Sequence, residues 1–329
     1  MPSSDETAIP RDRLDAQAKH LVDVLSLPPP HTNGHPASRL REPIGPGLND
    51  LFLLRVEGVE YLGRKLPDSN GELGSRLAPH MLLGLLLEAR WDEQGWHCLY
   101  QPVAQQRRRW LFQQALQAPS HRVHFPFPEL DEACREQIAP SAFWDHPQTL
   151  AARLDRQEQH FRATSIALLD KRLPPGAVVH DPACSTGMFI ATLARALPTA
   201  RCVGADRSAA MIAHARAHHS LPNLELQLAD AHAPVLAAGS CDALILRFLN
   251  AEMMTRETAI TLFERLTPLM RPGGVALVFG QSTLLFEVEQ QARRLGLEVI
   301  RSLAGTAETL ELFQFYELVR PATPIEISP

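Results

Sequence analysis

The sequence predicts an α/β protein built on a mixed sheet of seven strands, five of them parallel and two in an antiparallel C-terminal hairpin. Three observations carry this. From residue 178 onward, short apolar runs alternate with helical patterns. Such alternation implies right-handed crossovers and a parallel sheet with helices on both faces. The last two apolar runs, 297–303 and 311–320, have only a short loop between them, so they pair antiparallel. The series opens on VVHDPACSTGMFIATLA (178–194), which reads as a strand, a turn of small residues and an amphipathic helix.

Residues 1–45 stack turn formers, PPPHTNGHP (28–36) and EPIGPG (42–47), and predict an irregular N-terminal arm. Residues 46–140 predict a mainly helical cap or lid. Within it, MLLGLLL (81–87) is apolar on every side, which predicts burial, and AQQRRRWLFQQALQ (104–117) is amphipathic. Arg107, Arg108 and Arg109 read as a solvated face of that helix, with anion binding as the alternative. Two prolines spaced by an aromatic, Pro126 and Pro128, predict an extended segment near 121–130. The third region, 141–320, begins with one long amphipathic helix over 149–173 that stops at Pro174-Pro175-Gly176. Strands are predicted at 178–182, 201–206, 224–230, 241–248 and 274–280, with helices at 188–197, 209–219 and 256–270 between them. Residues 321–329 form a C-terminal tail.

Composition narrows the function classes. Of 329 residues, 45% are hydrophobic and 21% charged, which is ordinary for a globular protein. A net charge of −5 gives no general attraction to nucleic acid or to an anionic membrane. The longest apolar run falls far short of the roughly 20 residues a membrane span needs. The N-terminus is polar and acidic, unlike a signal peptide, and the five scattered cysteines fit a reducing compartment. A cytoplasmic protein is expected, without metal, nucleic-acid or membrane partners, and a homodimer is compatible with it. His214 and His218 have the i, i+4 spacing of two metal ligands, but a surface helix face explains them without a metal.

In an open α/β sheet, ligands bind beyond the C-terminal strand ends, where strand order reverses. The turn after Asp181 sits at such an end, and the helix after it offers free N–H groups and a positive dipole end. Asp206, about 20 residues beyond the loop, stands where a ribose diol is accepted. Asp230 closes the third strand, where an adenine amino group can donate to it. An aspartate at one strand end is commonly only a cap, but three at successive ends point to a ligand.

These residues carry a resemblance. Asp181-Pro182-Ala183-Cys184-Ser185-Thr186-Gly187 resembles the D-x-G-C-G-T-G motif of class I S-adenosylmethionine-dependent methyltransferases. Gly204-Ala205-Asp206-Arg207-Ser208-Ala209-Ala210-Met211 resembles the family's second-strand pattern, LADA (228–231) its adenine-side motif, and RPGG (271–274) its turn before the fifth strand. The resemblance covers roughly residues 140–320 and implies a Rossmann-like sheet that binds S-adenosyl-L-methionine. It implies that Asp181, Ala183, Cys184, Ser185 and Gly187 face the methionine part. Asp206 and Arg207 lie on the ribose side, Asp230 and Ala231 on the adenine side, and Arg247 where the amino-acid group meets a small-molecule substrate. A thiol nucleophile at Cys184 is the alternative to a small space-filling residue. A dinucleotide dehydrogenase would carry G-x-G-x-x-G in this loop, which is absent.

The sequence departs from the family at three places. Two family glycines are Ala183 and Ser185. The segment after the fourth strand, LRFLNAEMM (246–254), has Asn250 and no histidine base; Asn250 can orient a substrate or bind a carboxylate but cannot take a proton. Phe143 and Trp144 precede the long helix; aromatic faces there attract a sulfonium by roughly 0.5–2 kcal/mol, with simple core packing as the alternative for each. Phe161, Arg162 and Tyr100 are further candidates. With Arg247, Asn250, Trp144 and Phe143 form the predicted catalytic set. Three functions fit: a methyltransferase for a small metabolite; an enzyme that cyclises the cofactor's own aminocarboxypropyl arm, as the azetidine-2-carboxylate synthases of this family do; and a non-catalytic cofactor-binding partner.

Overall fold

Two sheets organise the chain. The computed structural model describes residues 11–28, 36–67, 76–128, 130, 138–140, 144–251, 253–284, 286–306 and 308–322. It divides into two compact units, Met1–Ile138 with Ser282–Leu285 and Arg301–Gln314, and Ala139–Gln281 with Phe286–Ile300 and Phe315–Pro329.

The first unit corrects the helical expectation. It holds α1 (Arg11–Val24), β1 (Ser38–Glu42), β2 (Leu51–Val56), β3 (Val59–Arg64), β4 (Leu82–Asp92), β5 (Gly95–Pro102), α2 (Gln105–Ala115) and β6 (Arg122–His124). The strands form an antiparallel sheet in the order β1-β5-β4-β3-β2-β6. The run 81–87, which reads as part of a helical region, lies mainly in β4. Its side chains feed two apolar clusters. Leu86 and Ala89 pack with Leu14, Leu53, Trp96 and Phe127, while Leu82 and Leu85 pack with Phe52, Leu54 and Phe112. A strand with both faces covered shows no polar alternation, so its pattern is that of a buried helix. Gly84 lets the β5 backbone close in, since a Cβ there would meet the Gln101 carbonyl oxygen at 2.1 Å.

The N-terminal arm is likewise more ordered than its composition implies, because α1 buries Leu14, Ala18 and Leu21 and accepts the Trp91 indole N–H on Asp15 at 2.6 Å. On α2, Arg107 and Arg109 are exposed, as a solvated face requires, and Arg108 is half-buried. The Arg107 guanidinium lies 3.8 Å over the Trp110 ring, and Arg108 donates to the Val103 and His80 carbonyls.

The second unit contains α3 (Pro147–Gln157), α4 (Gln159–Arg172), β7 (Val178–Asp181), α5 (Met188–Ala196), β8 (Arg201–Asp206), α6 (Ala209–His218), β9 (Leu224–Leu228), β10 (Cys241–Leu246), α7 (Arg256–Leu266), β11 (Met270–Val278) and α8 (Val288–Arg294). The chain ends on β12 (Glu298–Thr306) and β13 (Glu311–Val319), each of which belongs in part to this unit. Strand order is β12-β13-β11-β10-β7-β8-β9. β7 to β11 run parallel, and β13 is antiparallel to β11. This is the seven-stranded mixed sheet expected from the alternation of strands and helices.

Boundaries differ where a residue forces them. The predicted single helix over 149–173 is two, because Glu158 between them takes φ −94°, ψ 0°. α7 stops at Leu266, since Pro268 converts its continuation into one tight turn. The core stacks Phe161 on Phe279 at 4.6 Å and Phe279 on Phe315 at 5.1 Å. Phe161 is therefore core, not a cofactor cage. Tyr100 is on β5, packed beside the first apolar cluster of the first unit.

Candidate cofactor site

The order reverses between β7 and β10, so a crevice opens beyond their C-terminal ends. The residues there are built from the β7 turn. Asp181 is fully buried. One of its carboxylate oxygens accepts the Ala183 N–H at 3.2 Å, and the other accepts Arg247 Nε at 3.0 Å. Arg247 is the first residue after β10. Its Nη1 donates to Glu158 Oε1 at 2.5 Å and its Nη2 to the Ala183 carbonyl at 3.1 Å. The guanidinium also lies 5.4 Å from the Phe189 ring centre. A cation so buried costs several kcal/mol unless it is paired. Burial works against its charge, but Glu158 and Asp181 outweigh burial and hold it firmly protonated. Burial raises the Glu158 carboxyl above the usual range, with Arg247 opposing.

The turn is then pinned to β8. Cys184 N–H donates to the Ala205 carbonyl at 2.7 Å, and Ser185 N–H to Asp206 Oδ2 at 2.8 Å. Asp206 Oδ1 accepts the Ser208 N–H at 2.9 Å. Burial raises the Asp206 carboxyl, and these two N–H groups oppose that shift. Ala183 avoids the left-handed region, so alanine in place of a family glycine is free of backbone strain. Ser185 does not avoid it: its φ is 51°. For a residue with a side chain this costs roughly 1–2 kcal/mol. Its hydroxyl reaches the Met211 sulfur at 3.8 Å. Gly187 has φ 76° and starts α5, where a Cβ would meet Ala215 Cβ at 2.7 Å.

This donor set suits a cationic, diol-bearing ligand. The carboxyl groups of Glu158, Asp181 and Asp206 all act on the Arg247 guanidinium, and buried Arg162 acts on Glu158 as well, so these three acidic groups outnumber the two cations. Asp206 is held by backbone N–H groups that leave lone pairs on both oxygens. S-adenosylmethionine brings a sulfonium, an ammonium and a ribose diol, and the residues present fit it.

Residues 179–274 match the family model described as a methyltransferase domain. The chain is 29% identical over 280 residues to isonocardicin synthase of Nocardia uniformis subsp. tsuyamanensis, covering 82% of this chain and 91% of that protein. It is 39% identical over 112 residues to trans-aconitate 2-methyltransferase of Deinococcus radiodurans, 34% of this chain and 40% of that one. The chain is an S-adenosylmethionine-dependent transferase. Among solved structures it is similar to a SAM-dependent methyltransferase from Aquifex aeolicus, at TM-score 0.42 and 15% identity over 52% of this chain and 98% of that one.

The transferase ties Asp181, Ala183 and Arg247 into one hydrogen-bonded group and Ser185 to Asp206 in another, the two joined through the backbone of the turn. Cys184 backs the turn: it is fully buried and its thiol is pushed well above the usual range by burial, so it is no nucleophile. Asp230 stands apart, two residues past the end of β9, with its side chain 48% exposed. It accepts the His232 N–H and ring N at 2.8 Å, and the His232 backbone N–H, first among several contacts, lowers its carboxyl. Exposed Arg207 adds to that lowering, and Ala231 is half-buried. Asn250 is buried beyond β10 and its carbonyl accepts the Met253 and Met254 N–H groups. Trp144 is half-buried ahead of α3, and Phe143 lies outside the described residues. The transferase's α6 carries His214 and His218 with rings 4.0 Å apart, His218 Nδ1 bonding the His214 carbonyl.

Sequence reasoning missed Glu158. It sits mid-pattern in what reads as one helix, with no glycine or proline to mark the break. Among the described residues no helix is long and apolar enough to cross a membrane.

Proposed function

We propose that the transferase moves the 3-amino-3-carboxypropyl group of S-adenosylmethionine onto a nucleophile of a small natural-product molecule and releases methylthioadenosine. One observation carries this reading. The likeness to a synthase named for its product runs over 82% of the chain, whereas the likeness to the Deinococcus methyltransferase covers 34%. Bound S-adenosylmethionine supplies an electrophilic carbon on a sulfonium, with a neutral thioether as leaving group. Attack forms the bond from the acceptor to that carbon, and the pair of the broken C–S bond stays on sulfur.

The chain's own residues then hold and orient. Asp206 takes the ribose hydroxyls on its remaining lone pairs. Arg247, tied to Asp181, Glu158 and the Ala183 carbonyl, holds the β7 turn in place beside the reacting end. Asn250 orients the acceptor. The acceptor's proton passes to bulk water, since Glu158 is already committed to Arg247. Alignment of donor and acceptor does the rest.

Methyl transfer is the second reading, favoured by the match to the methyltransferase domain. Purified protein is incubated with S-adenosylmethionine and a pool of phenolic, amine and carboxylate metabolites, and the nucleoside product is identified by mass spectrometry. Methylthioadenosine that appears only with acceptor is the expected result. S-adenosylhomocysteine would replace this reading with methyl transfer, and methylthioadenosine without any acceptor would replace it with cyclisation.

A further inference from the structure

Strand order sets the side from which an acceptor approaches. With the ribose on Asp206 at the end of β8, and Arg247 at the end of β10, the acceptor's side is that of β10 and β11. The ends of these two strands are level. Leu246 pairs with Val278, and the Phe279 N–H donates to the Leu246 carbonyl at 3.1 Å. Arg247 and Phe279, the first residue after each strand, share a neighbour: the guanidinium and the Phe279 ring each lie 5.4 Å from the Phe189 ring centre. Gln281 stands two residues past Phe279, and two residues of chain span at most about 7 Å. Its side-chain Nε2 is buried and makes no hydrogen bond among the described residues. A buried N–H donor left without an acceptor costs stability, and native structures carry few of them.

We propose that Gln281 is an acceptor-binding residue: its amide N–H donates to a carboxylate or carbonyl oxygen of the acceptor, which selects an acceptor carrying such a group and turns its nucleophile toward the cofactor. This rests on the transfer reading and on the ribose lying on Asp206. Position favours the acceptor over the cofactor as the partner. Gln281 follows β11, which is three strands from β8 and one beyond the strand that leads to Arg247. At roughly 4.8 Å per strand, that is roughly 14 Å from the ribose side. Chemistry agrees. Arg247 is already taken by Asp181, Glu158 and the Ala183 carbonyl, so an oxygen of the acceptor needs another donor. A neutral amide supplies one without adding charge beside the buried acids. Asn250, buried past β10, and Gln281, past β11, then serve one molecule from neighbouring strand ends.

The full chain, Gln281→Met and Gln281→Glu are titrated with S-adenosylmethionine by calorimetry. Each is then assayed with S-adenosylmethionine and the same pool of phenolic, amine and carboxylate metabolites, and KM is measured for the acceptor that mass spectrometry finds modified. Gln281→Met keeps the length of the side chain and loses the donor. It should bind S-adenosylmethionine as the parent does and raise the acceptor's KM about tenfold, the scale of one lost hydrogen bond. Gln281→Glu, which sets a carboxylate against the acceptor's oxygen, should raise that KM further. A parental acceptor KM in Gln281→Met would overturn the proposal. So would an S-adenosylmethionine affinity that falls as much as the acceptor's, because Gln281 would then serve the cofactor or the fold. If Gln281→Met does not fold, Gln281→Glu decides: a raised acceptor KM with parental S-adenosylmethionine affinity supports the proposal, and a parental KM overturns it. No modified metabolite with the parent chain would instead remove the transfer reading, and the proposal with it.

Discussion

Asp181 and Asp206 close neighbouring parallel strands, and both accept an N–H from the same turn. They are nevertheless used differently. Asp181 is fully buried and pairs with a guanidinium that also holds Glu158 and the Ala183 carbonyl. Asp206 is half-buried, and the hydrogen bonds it accepts come from neutral backbone N–H groups. A carboxylate whose charge is matched inside the protein has little left for a ligand. One that orders backbone yet keeps open lone pairs can receive hydroxyls. On this difference we assign Asp181 to the frame and Asp206 to recognition.

The largest expected effect breaks the frame. Arg247→Met leaves buried Asp181 without its paired guanidinium and Glu158 with only Arg162, and should cost about 3–5 kcal/mol in denaturant unfolding. A loss under about 1 kcal/mol, the size of an exposed pair, would show that the cluster is not what holds the turn. A smaller effect sharpens the link between the two aspartates. Ser185→Gly removes the side chain from a φ of 51° and should gain up to about 1 kcal/mol, because relief of strain exceeds the added chain entropy. Destabilisation would mean that the hydroxyl's contact with Met211 outweighs the strain.

The contrast between aspartates is only half legible in the sequence. Strand ends, the turn and the position of Asp206 follow from local pattern, because apolar runs and small residues declare them within a few positions. The partners of Arg247 do not, since Glu158 lies 89 residues away in a helix break that neither glycine nor proline announces. The family resemblance puts Arg247 near the ligand's amino-acid group, yet its hydrogen bonds go to Asp181, Glu158 and Ala183. The first unit is hidden for another reason. Leu82, Leu85 and Leu86 fill two cores from one strand, so the period of two that marks a half-exposed strand never appears. The exposure of Asp230 is not readable either, because β9 stops at Leu228 and the turn beyond it folds onto His232.

If the carboxylate closing β8, rather than the one closing β7, recognises S-adenosylmethionine, then calorimetric titration of Asp206→Ala tests it most directly. The variant should remain folded and bind at least about tenfold more weakly, the loss of charge-assisted hydrogen bonds to a diol. Affinity equal to that of the unaltered chain would contradict the assignment.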